Sequence, residues 1–373
     1  LAFCASASHA LGVGPMIAMG GSMARRYPVV RTRRYWQAAF FFWTVFIGTL
    51  FTLWVFAHMR GAEPAVSRPP GVEGFLPISA LMSLRFWLSG GGVHPVHPAG
   101  LAILLGALLM SATVARSFCS HLCPVGALSE WLGRLGRRLM GRTWELPRVL
   151  DVLLRSVKWL LLAFFVWATW VAMDLGQLRR FLDSPYNRVA DVKMLLFFAE
   201  PSRLTVAVLG VLVVGSVLVR DFWCRYFCPY GALVGLFGLL APFKITRNPE
   251  TCTNCQLCTK VCPARLPVHK VSRVRSVECT GCQDCVAVCP VADCLSLAAS
   301  RRFPLRPAHG VLLAMAVYFA VTLGFRLAGH WRGVVSEAEF AKRIPEIHSP
   351  LYTHVGGMAP GEAEPAPRLE AAH

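Results

Sequence analysis

Eight of the fourteen cysteines in the 373-residue chain fall within residues 252–289, and their spacing is regular. Cys252, Cys255, Cys258 and Cys262 are followed by Pro263, and Cys279, Cys282, Cys285 and Cys289 repeat the same gaps before Pro290. Thiolates at two-residue gaps let a tight loop wrap three iron corners of a [4Fe–4S] cluster while its peptide N–H groups face the sulfurs. The proline then turns the chain away after the fourth ligand. In the bacterial two-cluster run each fourth cysteine serves the other cluster. The expected sets are therefore Cys252, Cys255, Cys258 and Cys289 for cluster 1, and Cys279, Cys282, Cys285 and Cys262 for cluster 2. A zinc ribbon also uses paired Cys-x2-Cys, but zinc needs neither three cysteines at this spacing nor a fourth before proline, twice over. Cys294 lies outside the pattern and reads as a buried small residue.

Two further pairs sit upstream. Cys119-Ser-His-Leu-Cys123-Pro-Val-Gly-Ala-Leu128 matches Cys224-Arg-Tyr-Phe-Cys228-Pro-Tyr-Gly-Ala-Leu233 at six of ten positions. An Arg and a Phe precede each copy, Arg116/Phe118 and Arg220/Phe222. On a continuous helix residues i and i+4 share a face, so both thiols of a pair are expected to point the same way. Four thiolates meeting there would suffice for a third [4Fe–4S] cluster or serve as a redox dithiol. Packing of a small apolar residue in a helix interface is the alternative.

Such sites need supports, and composition indicates which. The chain is 55% hydrophobic and 16% charged, against roughly 25% charged for a soluble domain, which points to segments solvated by lipid. Five runs, 38–57, 99–118, 157–175, 203–222 and 308–328, approach the roughly 20 helical residues that cross a hydrocarbon core. None alternates as a barrel strand would, so helices are expected. The net charge of +18 comes from basic residues bordering these runs. There they hold cytoplasmic loops against anionic lipid, and nucleic acid is not an expected partner.

Arg25, Arg26, Arg31, Arg33 and Arg34 precede the first run, and Arg134, Arg137, Arg138, Arg142, Arg148, Arg155 and Lys158 follow the second. The N-terminus and the cysteine-rich segment are thereby placed in the cytoplasm, where disulfides are disfavoured. Loops 58–98 and 176–202 fall outside. Two spans separate the two Cys-x3-Cys-Pro copies, so the repeats run parallel about the membrane normal. Residues 74–90, broken by Pro77 and Arg85, are expected as an interfacial or re-entrant segment.

The expected fold is an α-helical membrane protein of about five transmembrane helices with an internal parallel repeat. It carries a cytoplasmic, bacterial 2[4Fe–4S] ferredoxin-like α+β domain. The divisions are a cytoplasmic N-terminal segment at 1–36, a four-helix membrane region at 37–243, the ferredoxin-like domain at 244–303, a fifth transmembrane helix at 304–328 and a periplasmic tail at 329–373, disordered after 355. Residues 1–22 do not read as a signal peptide, because no basic n-region precedes Ala-Ser-Ala.

Several polar residues fall at the outer face in this topology. His58, His94, His97, His330, His348 and His354 do so, whereas His121, His269 and His309 fall inside. Each is ordinarily an interfacial polar residue, yet six together could bind copper or accept protons from a quinol. Asp183, Tyr186, Asp191 and Lys193 form a polar group in the second outer loop. A quinol site needs a proton acceptor beside an apolar pocket, which makes Asp191, His94 and His97 the candidates.

The combination of spans, two Cys-x3-Cys-Pro copies and a two-cluster segment over residues 36–328 resembles the polyferredoxin-like membrane proteins of the NapH type, related to the NosR and CcoG families. The resemblance implies a quinol-oxidising subunit in the bacterial inner membrane, feeding a respiratory reductase. The segment before the first span is too short for the flavin domain of the NosR type, and residues 329–373 are too short for the extra C-terminal domain of the CcoG type. The expected function is electron transfer between the quinone pool and a protein redox partner. Lys260, Arg265, Lys270, Arg273 and Arg275 would attract an acidic partner or rest on anionic lipid. The alternatives are copper reduction during assembly of a respiratory enzyme, and a membrane redox sensor. No nucleotide-binding glycine loop, flavin fingerprint or hydrolytic triad stands out.

Overall fold

The computed structural model describes residues 28–141, 143–300 and 303–352. The readings made for residues 1–22, His354 and the chain after 355 lie outside them. Helix α1, Pro28–Met59, begins well before the first expected span and turns its aromatic residues Trp36, Phe42, Trp43 and Phe46 outward. Exposed aromatic and aliphatic side chains on so apolar a helix are a lipid-facing surface.

At the centre stands α3, Pro98–Thr113, which is apolar on all sides and buries Leu101, Leu104, Ala107, Leu108 and Met110. A helix without a polar face belongs inside a bundle. It packs against α2 (Pro77–Phe86), α11 (Pro229–Gly238) and α14 (Pro307–Leu327). Gly106 lets α14 come close, because a Cβ there would stand 2.9 Å from the Tyr318 ring. Helix α2 lies within residues 74–90, the segment expected as interfacial or re-entrant.

Around this centre run α4 (Ser117–His121), α5 (Pro124–Met140), α6 (Arg148–Val166), α7 (Leu175–Asp183), α8 (Ala190–Ala199), α9 (Arg203–Leu218) and α10 (Phe222–Tyr226). By length and composition, Thr32–Met59 and Ala308–Leu327 can each cross a membrane, and α8 with α9, bent by 76°, makes a third candidate as a broken span. The other expected spans differ from simple crossings for identifiable reasons. Helix α3 has 16 residues and is largely enclosed by protein, so it spans only about 24 Å. Helix α6 starts at Arg148, nine residues before the expected run, and carries Asp151, Arg155 and Lys158 along its length.

The ferredoxin-like module holds β1 (Lys244–Arg247), α12 (Leu257–Val261), α13 (Asp284–Val288), β2 (Leu295–Ala298) and β3 (Pro304–Leu305). Strand β2 pairs antiparallel with both β1 and β3, in the order β1-β2-β3. The module sits against the ends of α3 and α11, where Val114 bridges to Phe243 and the Arg116 amide donates to Cys279 O at 3.2 Å.

The opposite end of the bundle is capped. Helix α15, Glu337–Arg343, and the residues to 352 bury Phe340, Ile344, Ile347 and Tyr352 against Phe51, Trp54 and Val55 of α1. Trp54 Nε1 donates to Glu337 at 3.1 Å, Arg188 pairs with Glu339 at 2.9 Å and the Val334 amide donates to Pro95 O at 2.9 Å. Loops 58–98 and 176–202 and the segment 334–352 therefore share one end, and the cysteine-rich module occupies the other.

Candidate iron–sulfur centres

Two loops with one backbone design build the cysteine-rich module. Asn254 and Gly281 hold equivalent positions and both adopt left-handed φ, 56° and 62°, while Gln256 and Gln283 do the same at 60° and 62°. Alternating left- and right-handed residues turn successive N–H groups inward and make a cradle for anionic sulfur. Cys258 and Cys285 lie on α12 and α13; Cys262 and Cys289 end those helices in an extended conformation. A following proline imposes that conformation.

One cavity is lined by Cys252, Cys255, Cys258 and Cys289, with Arg247, His269 and Cys294 beside them. The other is lined by Cys262, Cys279, Cys282 and Cys285, with Ile245 and Val274. Each cavity gathers four cysteines in the set expected for one cluster, the fourth crossing over from the other loop. No cysteine among the described residues forms a disulfide. Among the described residues, no three His, Cys, Asp or Glu side chains close on one point. Thiols ranged around a cavity suit a multi-atom cluster better than a zinc ion, which draws its sulfurs to about 2.3 Å from one centre. Burial pushes the Cys279 thiol up to about 11 and the Cys289 thiol up to about 12. Such thiols stay protonated in water and give up their protons to solvent only when a cation binds the sulfur.

The cavities are not equivalent. The one with Cys279 lies against the helical bundle, where Ser120 Oγ donates to Thr280 O at 2.7 Å and Arg220 donates to Val261 O at 3.1 Å. Arg33 of α1 meets Asp284 at 3.5 Å, and Arg220 meets the same carboxylate at 3.8 Å. The two arginines of the internal repeat thus do matching work. Arg116 reaches Glu278, next to Cys279, at 3.7 Å, and Arg220 reaches Asp284, next to Cys285. The cavity with Cys252 has the exposed Thr253 and Gln256 in its lining.

The Cys-x3-Cys-Pro pairs differ from the expected single helix. Cys119 and Cys224 lie on the short helices α4 and α10, but Cys123 and Cys228 are the extended N-caps of α5 and α11, each with proline at the first helical position. Pro124 and Pro229 forbid a continuous helix through the preceding cysteine. The break still brings the four thiols together, close enough that their charges act on one another. The Gly231 amide donates to Cys228 Sγ at 3.2 Å, so helix N-termini face the thiols and favour their anionic form. Arg116 and Lys158 are buried nearby, and Lys158 Nζ meets Glu278 Oε1 at 2.5 Å. Burial raises Cys123 to about 12 and Cys228 to about 11.

At the capped end His97 and Asp191 join one buried network. His97 faces Glu73 at 3.7 Å, and Arg68 bridges Glu73 at 3.4 Å and Asp191 at 2.6 Å. Asn187 O meets His97 Nε2 at 2.5 Å. Glu73 and Arg68 escaped the sequence reading because single charges in loops carry no spacing signal. The outer histidines do not gather. His94 pairs with Asp183 at 3.3 Å, His58 with Glu337 at 3.6 Å and His348 with Glu200 at 3.8 Å.

A sequence profile described as a 4Fe-4S binding domain matches residues 96–143 and again 204–248, one copy over each Cys-x3-Cys-Pro repeat. A 4Fe-4S dicluster domain profile matches residues 244–290. The chain is 42% identical over 318 residues to YccM of Escherichia coli, to which a role in electron transport is ascribed, covering 83% of this chain and 88% of YccM. It is 29% identical over 220 residues to the methylamine utilization ferredoxin-type protein MauN of Paracoccus denitrificans, covering 58% and 69% of the two chains. The NirI protein of the same organism matches at 29% over 162 residues, 43% of this chain and 22% of NirI. No solved structure matches significantly. Paired cysteine cavities, a duplicated cluster-binding segment and apolar helices under one cap go with these matches: the chain belongs to the NosR/NirI-like family of ferredoxin-type membrane proteins, which bind [4Fe–4S] clusters and transfer electrons.

Proposed function

We propose that the chain is a quinol dehydrogenase-type subunit of the bacterial inner membrane, passing electrons between the quinone pool and a respiratory reductase. In this reading all five apolar runs cross or line the membrane region, the ferredoxin-like module faces the cytoplasm and the capped end faces the periplasm. Cys252, Cys255, Cys258 and Cys289 hold the distal cluster, and Cys279, Cys282, Cys285 and Cys262 hold the proximal one. Cys119, Cys123, Cys224 and Cys228 hold a third. The clusters, when bound, supply one-electron carriers in series.

The observation that carries this reading is the alignment of the four-cysteine site with the module. The Cys279 carbonyl accepts from the Arg116 amide, and the Arg116 and Lys158 side chains both face Glu278. Two buried cations against one carboxylate leave an excess positive charge, which a set of four thiolates around iron offsets. The chain's own residues thus stabilise the anionic site and fix the module beside it. Asp191, His94 and His97 are the proton acceptors for a quinol at the capped end. Helix α3, about 24 Å long, separates them from the cysteines, a gap that a redox partner bridges for the electrons.

The test is EPR of the anaerobically purified protein in detergent during addition of a quinol. Signals that appear with quinol support the reading. Clusters that dithionite reduces and quinol does not would overturn it, and would favour reduction of a metal ion or electron flow toward quinone.

A further inference from the structure

The cavity of the distal cluster contains a fifth thiol. Cys294 lines it together with Cys252, Cys255, Cys258 and Cys289. It is 2% exposed and shares the cavity wall with Cys252 and Cys289. The turn Pro290-Val-Ala-Asp-Cys294 returns the chain from α13 to β2, and Asp293 takes a left-handed φ of 58° within it. That turn aims Cys294 back at the cysteine five residues before it. The Cys294 thiol also donates to Asn248 O at 3.7 Å, which ties it to the end of β1. The equivalent place in the other loop is not a cysteine, and the proximal cavity has four thiols only.

We propose that Cys294 is a reserve ligand of the distal [4Fe–4S] cluster, placed to take the iron corner of Cys289 when that thiolate is lost. The inference rests on the assignment of Cys289 as the ordinary ligand. Exchange is balanced without an oxidant or reductant: one iron–sulfur bond breaks, another forms, and the Cys294 proton passes to the departing thiolate or to water. A sulfur ligand on the same turn needs only a local backbone adjustment, because both thiols already border the cavity.

The experiment compares the full-length parent with Cys289→Ala, Cys294→Ala and the double variant, all purified anaerobically. Iron and acid-labile sulfide per chain and the EPR spectrum of the dithionite-reduced protein are read. Cys294→Ala is expected to keep the parent's iron. Cys289→Ala is expected to keep it too, with an altered distal-cluster signal, and the double variant is expected to lose iron from that cluster. Loss in Cys289→Ala equal to that in the double variant, or failure of both to fold, would overturn the reserve role while leaving Cys289 a ligand. An EPR spectrum of Cys289→Ala identical to the parent's would instead remove Cys289 from the ligand set.

Discussion

Cys255 and Cys282 sit at matching places in their loops, each between two left-handed or near-turn residues that aim the thiol into its own cavity. Neither has a spare thiol assigned to its corner. Cys255→Ala or Cys282→Ala is expected to remove about four irons per chain, one whole cluster, as read by iron and sulfide assay; an unchanged count would withdraw the ligand sets. These ligands were legible because cluster chemistry imposes short, fixed spacings on the sequence. Cys294 was legible only as buried, since its spacing matches no pattern and its position depends on how the turn folds. The N-cap role of Cys123 and Cys228 was encoded by Pro124 and Pro229. Glu278, Glu73 and Arg68 were not legible, because their partners Lys158, His97 and Asp191 are distant in sequence.

Between elements, long-range charge pairs fix what apolar packing leaves free to slide. Arg33 on α1 forks onto Glu130 of α5 at 3.0 and 3.2 Å and reaches Asp284 of the module at 3.5 Å. Burial alone would raise Glu130, but the charge and hydrogen bonds of Arg33 outweigh it and hold the carboxyl well below its usual range. Removing one partner of a buried pair costs about 3–5 kcal/mol. Arg33→Met is accordingly expected to destabilise the module's seating by that order, seen as a lower thermal midpoint in detergent; a midpoint equal to the parent's would contradict it. The sequence reading gave Arg33 to lipid headgroups, the usual role of basic residues before a span. The fold uses it as a tie.

A titratable pair lies at the capped end. Burial alone would lower His97, yet the Glu73 carboxylate 3.7 Å away raises it above the ordinary value of 6.5. A raised folded value contributes stability that is full below the unfolded value and lost as pH rises through the folded one. Thermal stability should therefore fall as pH rises above the ordinary histidine range, and His97→Gln should lack that part of the slope. Parallel slopes would show that the pair does not titrate with folding.

For the whole molecule, the apolar helices were legible from composition, because lipid and water partition side chains by simple rules. The enclosure of α3 and the folding of residues 336–352 over the bundle were not, since both depend on packing between distant segments. The arrangement gathers the four-cysteine set and the two cavities at one end. All three are expected to hold clusters, and iron with acid-labile sulfide per chain in the anaerobically purified protein measures this. About twelve irons are expected, falling to about eight in Cys119→Ala/Cys224→Ala. About eight in both proteins would contradict it and leave the Cys-x3-Cys-Pro pairs without a cluster.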